Sequence, residues 1–305
     1  MIRVSNVRVS SLSALLFTVT LMGSLPSALR AQGKLAVPET VVFTRDIEYA
    51  NPDGQHLKLN LARPKSTKGA APAVVCIHGG GFRAGNREHH DKLCIDLAER
   101  GYVAATVTYR LSPKYKYPAA VHDVKAAVRF LRAHAEEYGI DPKRIGTTGD
   151  SAGGHLALFL GLTGIIDDEN DDNRNDNRAQ SSSVSCVVDV YGPTDFTKSY
   201  GKSVDAAEVL PLFLGGNLET AHHQHILASP LNWVTPDAAA TLIIHGTEDK
   251  YVAYEQATWL IDKLKAMDVD SELLTLHGAG HGFKGADAEK AREAMFSFFD
   301  KHLKP

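Results

Sequence analysis

The feature that most limits what this chain can fold into is a set of short apolar runs without a polar face. APAVVCIHG (71–79), YVAATVTY (102–109), CVVDVYG (186–192) and ATLIIHG (240–246) are rich in β-branched residues and too short for typical helices. A strand with one wet face alternates apolar and polar residues, whereas a strand covered on both faces does not. Helical periods stand between these runs, at about 88–99 before Gly101, over 118–138 before Gly139, in AGGHLALFLGL after Ser151, and at about 254–267 and 287–302. KRIGTTGD (143–150) and SELLTLHG (271–278) read as further strands. Strands alternating with helices predict an α/β fold with a mostly parallel central sheet and helices on both faces. VVFTRDIEYA (41–50) and LKLNLA (57–62) flank the turn NPDG and predict an antiparallel hairpin at the N-terminal edge.

The first residues read differently. Arg3 and Arg8 precede an apolar run from Leu12 to Leu25, and small residues follow at Ala28 and Ala31. That order is a secretory signal, with a run too short to span a bilayer comfortably, so residues 1–31 are expected to be removed on export. Cleavage after Ala31 and after Ala28 both stay open, because Leu29 and Pro26 would stand at the −3 position. Residues 32–305 then form one catalytic domain, in a secreted or periplasmic protein with no stable membrane insertion. A formal net charge of −3 argues against nucleic acid as the partner. Cys76, Cys94 and Cys186 are odd in number and lie in apolar or helical patterns, which reads as small buried hydrophobes; one disulfide is possible, with no pair preferred.

The chemistry gathers where strands end. Gly149-Asp150-Ser151-Ala152-Gly153 fits G-x-S-x-G between a strand and a helix, a turn that crowds the backbone and stands a serine hydroxyl free. The glycines miss the dinucleotide spacing, and His155 follows Gly154 where a phosphate loop needs lysine. HGGGF (78–82) follows a buried strand and offers backbone amides to an oxyanion; Gly80, Gly81 and Ala152 are assigned to that hole. HGTEDKYV (245–252) carries Asp249 after one strand, and GAGHGF (278–283) carries His281 after the next. The order Ser151, Asp249, His281 makes a nucleophile, an orienting acid and a general base. Glu248 and Asp195 are the competing acids, with Asp195 read instead as a cap. Asp150 and His78 are read as supports of the elbow and the glycine loop. Phe82, Tyr115 and Trp233 are candidate substrate-binding aromatics.

HGGGF, GDSAGG, IIHGTEDKYV and GAGHGF, in this order, resemble the α/β-hydrolase esterases of the hormone-sensitive-lipase-like kind, and more closely the bifunctional feruloyl and acetyl xylan esterases. The likeness runs from about Val42 to about Lys301 and includes YRLSPKYKYPAAVHDVKAAVRFLR (109–132). It implies an α/β-hydrolase fold and a secreted, cofactor-free serine esterase that removes acetyl or feruloyl groups from plant polysaccharide such as xylan. Two departures stand out. Val252-Ala253 replaces the Val-Pro of many relatives, and the stretch between Ala31 and His78 has no room for a large helical cap. A general short-acyl carboxylesterase is the second reading, and an α/β-hydrolase that has become a binding module is the third. DDENDDNRNDNRAQSSS (167–183) reads as a solvated loop that lacks EF-hand spacing for calcium, HHQH (222–225) as surface rather than a metal site, and 203–218 as a small lid.

Overall fold

The computed structural model describes residues 35–164, 171, 177–204 and 206–304. The expected signal segment and most of the acidic stretch 167–178 lie outside the described residues. Residues Ala36–Pro305 form one compact unit.

The hairpin pairs β1 (Val41–Ala50) with β2 (Leu57–Pro64). There follow β3 (Ala71–Ile77), α1 (Asp91–Glu99), β4 (Val103–Val107), α2 (Ala119–Ala133), α3 (Ala135–Tyr138) and β5 (Ile140–Asp150). The second half runs α4 (Ala152–Thr163), β6 (Cys186–Val190), α5 (Ala206–Leu214), α6 (His222–Leu227) and β7 (Ala240–Gly246). It closes with α7 (Glu255–Ala266), β8 (Ser271–Leu276) and α8 (Gly285–Leu303). The sheet order is β1-β2-β4-β3-β5-β6-β7-β8. β1, β2 and β4 pair antiparallel; every pairing from β4 through β3 to β8 is parallel. This is the α/β-hydrolase architecture expected from the sequence, with no helix ahead of β3 among the described residues except a single 3-10 turn at Pro52–Gly54.

Every residue of β3, β4 and β6 is buried, which explains why those runs carry no polar face. Ala73, Val75 and Ile77 of β3 point into the larger core with α2, α4 and α7. The opposite face meets α1 and α8, which are tied together by Arg292 on α8 and Asp96 on α1 at 3.2 Å. α4 is apolar around its whole circumference, and all but one of its residues are buried; each Leu or Phe it hides contributes roughly 1.5–3 kcal/mol. The three cysteines are buried free thiols, none in a disulfide. No described helix is long and apolar enough to cross a membrane.

Parallel pairing sends β3, β5, β6, β7 and β8 toward one edge of the sheet with their carboxyl ends together. Loops leaving neighbouring strands at that edge are the natural place for chemistry.

Candidate active site

β5 passes into α4 through Ser151, whose φ of 53° and ψ of −120° put a β-carbon-bearing residue in strained backbone. The flanking glycines permit the turn. A Cβ on Gly153 would overlap the carbonyl oxygen of Ile77, and one on Gly149 would overlap the backbone of Gly153. Ser151 N donates to Val190 O on β6 at 2.9 Å, anchoring the turn to the neighbouring strand.

His281 Nε2 lies 3.0 Å from Ser151 Oγ, and its Nδ1 lies 2.7 Å from Asp249 Oδ2. Asp249 is an ionised acceptor, so Nδ1 carries the proton and Nε2 is free to receive one from the serine. The other oxygen of Asp249 accepts the amides of Tyr251 and Val252, both at 2.9 Å. Burial alone would raise the Asp249 pKa, but hydrogen bonds from His245, His281 and the Val252 amide outweigh it and hold the carboxyl at about 2. His245 donates through Nε2 to Val252 O at 2.9 Å and stands 3.4 Å from Asp249 Oδ2. Asp195 is elsewhere: it accepts from Thr197 N and pairs with Lys198, a cap as the sequence indicates.

The glycine loop folds back on itself. Arg83 N and Ala84 N both donate to Gly80 O, and Gly80 takes a φ of 117° that suits glycine. Among the described residues the amides of Gly80, Gly81 and Ala152 find no acceptor, and Ala152 opens α4, so a helix N-terminus faces the same space. Two supports hold the loop against the elbow. Asp150 Oδ1 accepts Gly79 N at 3.1 Å and His90 Nε2 at 2.9 Å. Burial lowers the affinity of His90 for its proton, yet the Asp150 carboxylate more than compensates and raises its pKa; burial likewise opposes Asp150, whose pKa falls through the same contact. His78 donates to Gly79 O at 2.8 Å, stacks on Tyr109 at 4.4 Å, and is kept neutral by burial, which pushes its pKa down to about 4.

Serine and histidine open into a cleft of about 480 Å³ lined by Gly80, Gly81, Arg83, Tyr191, Val209 and Tyr251, among others. The three aromatics proposed from sequence are not on it. Phe82 is 2% exposed, takes a φ of 58° and turns inward to stack on Phe213 at 3.9 Å, so it supports the loop from beneath. Tyr115 stacks under Lys114 and Arg110, and Trp233 donates to Leu227 O at 2.8 Å, both half-buried beyond the cleft. Residue type alone does not say which way a loop side chain turns. The structure puts Tyr191, Val209, Tyr251 and Arg83 there instead, with His90 behind. Their one available signal was position: Tyr191 follows β6, as the acid and base follow β7 and β8, and Tyr251 lies two residues past the acid. The expected lid is a wall: α5 offers Val209 to the cleft and buries Leu210, Phe213 and Leu214 in the core. His225 of the HHQH run is buried rather than on the surface, held by Ala221 O and Tyr200 Oη. Among the described residues no cluster of three or more potential ligands could hold a metal ion.

A strained serine at a strand-to-helix turn, hydrogen-bonded through a histidine to a buried carboxylate and facing free backbone amides, is the nucleophile arrangement of the α/β-hydrolase class. Residues 59–264 match the family model described as BD-FAE, and the chain belongs to that family. Esterase LipC of Mycobacterium tuberculosis (strain ATCC 25618 / H37Rv) is 31% identical over 259 residues, an overlap of 82% of this chain and 62% of LipC. The chain therefore spans less than two thirds of that curated relative. A truncated carbohydrate esterase from gut microbiota superposes with a TM-score of 0.76 at 27% identity, covering 87% of this chain and 97% of its own. A thermophilic esterase of Thermogutta terrifontis, Est2 with propionate bound, gives 0.71 at 27% identity, covering 88% and 98%.

Proposed function

We propose that this protein is an exported serine esterase that removes acetyl or feruloyl groups from plant polysaccharide such as xylan, through an acyl-enzyme. The observation that carries the reading is the Ser151–His281–Asp249 relay set in an open cleft with no cap domain among the described residues. An enclosed apolar tunnel would suit a lipid; an open groove admits an ester carried on a bulky polymer. The gut carbohydrate esterase supports the same direction, and the leader-like segment before Ala31 supports export.

Ser151 Oγ attacks the ester carbonyl while His281 Nε2 takes the hydroxyl proton. The carbonyl electron pair moves onto oxygen, where the amides of Gly80, Gly81 and Ala152 receive it; losing one such donor typically costs roughly 10²–10³ in turnover. Asp249 balances the imidazolium. Collapse expels the alcohol, which takes the proton from Nε2, and water repeats the sequence to free the acid and restore Ser151.

The test is release of acetate and ferulate from acetylated and feruloylated xylan oligosaccharides by wild type, with Ser151→Ala as the blank. Serine-dependent release is expected, and the ratio of the two acids reports the side group accepted. The second reading, a general short-acyl carboxylesterase, rests on the Thermogutta neighbour with bound propionate. It wins if small esters are cleaved and the oligosaccharides are not. A fluorophosphonate should label wild type rapidly and Ser151→Ala not at all; a folded wild type that resists labelling would leave only the binding-module reading.

A further inference from the structure

The two halves of an ester meet different walls of this cleft. When the tetrahedral intermediate collapses, the bond from carbon to the alcohol oxygen breaks and its electron pair leaves with that oxygen. The proton that neutralises it comes from His281 Nε2, so the alcohol oxygen must lie within hydrogen-bond reach of that nitrogen. The carbonyl oxygen is meanwhile committed to the glycine-loop side. The alcohol half therefore extends along the histidine side of the cleft.

It meets two rings there: Tyr191, centred 4.6 Å from His281 and half-buried against Phe283, and the exposed Tyr251. The Tyr251 ring centroid is 5.5 Å from that of His281, with the planes inclined by 40°. It is 55% exposed, and among the described residues it is the one aromatic with a large exposed hydrophobic surface. Its amide donates to Asp249 Oδ1 at 2.9 Å, so the ring rides on the loop that fixes the acid. An aromatic ring left facing water beside a reacting group is unusual, because burying one removes 150–250 Å² from solvent. Across the cleft, α5 supplies only Val209, so the aromatic face stands on the alcohol side.

We propose that Tyr251 is the platform for the alcohol half of the substrate and that this half is a pyranose ring, whose flat face of C–H groups covers the tyrosine while its hydroxyls stay in water. The inference rests on the carbohydrate-ester reading above and assigns the sugar to one wall. A short alkyl alcohol would leave the outer half of the Tyr251 ring uncovered, because the other apolar walls of the cleft, Tyr191 and Val209, are largely buried and set deeper than that exposed ring. A sugar within a longer oligosaccharide continues past the ring into solvent without obstruction.

The test holds the acyl group constant and changes the alcohol. Initial rates on acetylated xylo-oligosaccharide and on ethyl acetate are compared for wild type, Tyr251→Ala, Tyr251→Phe and Tyr251→Trp. On the scale of an aromatic pair, about 0.5–1.5 kcal/mol, Tyr251→Ala should lose about 2–13-fold more kcat/KM on the sugar ester than on ethyl acetate, chiefly through KM. Phe and Trp should restore that selectivity. Equal losses on both esters would mean that the substitution merely disturbs the acid loop, and would overturn the platform. So would a variant that loses neither. A wild type that cleaves ethyl acetate but not the sugar ester would overturn the carbohydrate reading itself, a result separable from the other two.

Discussion

At the residue scale the site works because each catalytic side chain is fixed by partners that leave its working atom aimed at the next. Asp249 spends one oxygen on two backbone amides and offers the other to His281. An amide in its place would present an N–H to the imidazole, favour the wrong tautomer, and turn Nε2 from acceptor to donor. Asp249→Asn should therefore cut kcat by about 10³–10⁴-fold with little change in KM. Asp195→Asn should stay within a few-fold of wild type, since that carboxylate caps a 3-10 turn and does not touch His281. Steady-state kinetics of the two variants decide it, and the reverse ranking would move the acid. Serine, base and acid were legible in the sequence because elbow, strand end and chain order each constrain one residue type. The cleft walls were not. Phe82 sits beside the glycines in sequence, yet its positive φ turns the ring into the core, where Phe213 and His155 receive it.

At the scale of elements, the loops that carry the site hang on contacts made by the helices and strands behind them. β4 leads to Arg110, whose guanidinium grips Asp123 on α2 through Nε and Nη2 at 2.8–3.0 Å, while Arg110 N donates to the same carboxylate at 2.7 Å. Both side chains are almost wholly buried, at 2% and 0% exposure. Without the carboxylate Arg110 keeps Ala119 O at 3.3 Å and Asp53 Oδ2 at 3.8 Å but loses its bidentate buried partner. Asp123→Ala should therefore cost stability toward the lower end of the roughly 3–5 kcal/mol of a broken buried pair. Urea unfolding followed by circular dichroism would measure it; a loss below about 1 kcal/mol would mean that Arg110 finds another acceptor. The buried strands and the helices that cover the sheet were legible to within a few residues, since periodicity and continuous apolar runs are set by the two core faces. The short helices α5 and α6 and the break between α2 and α3 were not. The hairpin was legible through NPDG. The exact role of α5 was not: VLPLFL reads equally as a lid or as a wall, and the choice depends on the Phe82 and Phe196 rings that meet it only after folding.

For the whole molecule, three buried titratable groups pull stability against pH in opposite directions. His155 lies among Phe82, Phe159, Phe196 and Phe213, and burial drives its pKa down to about 3; His78 is held down to about 4 for the same reason. Unfolding returns both toward their ordinary 6.5, so between those values the unfolded chain binds more protons. Their contribution is complete above pH 6.5 and is lost as the pH falls toward the folded values. Asp189 on β6 behaves oppositely. It is fully buried, Oδ1 accepts Gly192 N at 2.9 Å, and among the described residues Oδ2 has no hydrogen-bond partner, so burial lifts its pKa to about 7. Here the folded chain holds the extra proton, and its contribution is complete below the ordinary 3.8 and lost as the pH rises through about 7. Asp189→Asn keeps the acceptor for Gly192 and removes the titration. The urea midpoint of the variant minus that of wild type should rise from about pH 5 to about pH 7 and level off by about pH 8, because the folded chain holds the extra proton only up to its own pKa. A difference that stays flat over that range would mean that Asp189 carries no such proton in the folded protein.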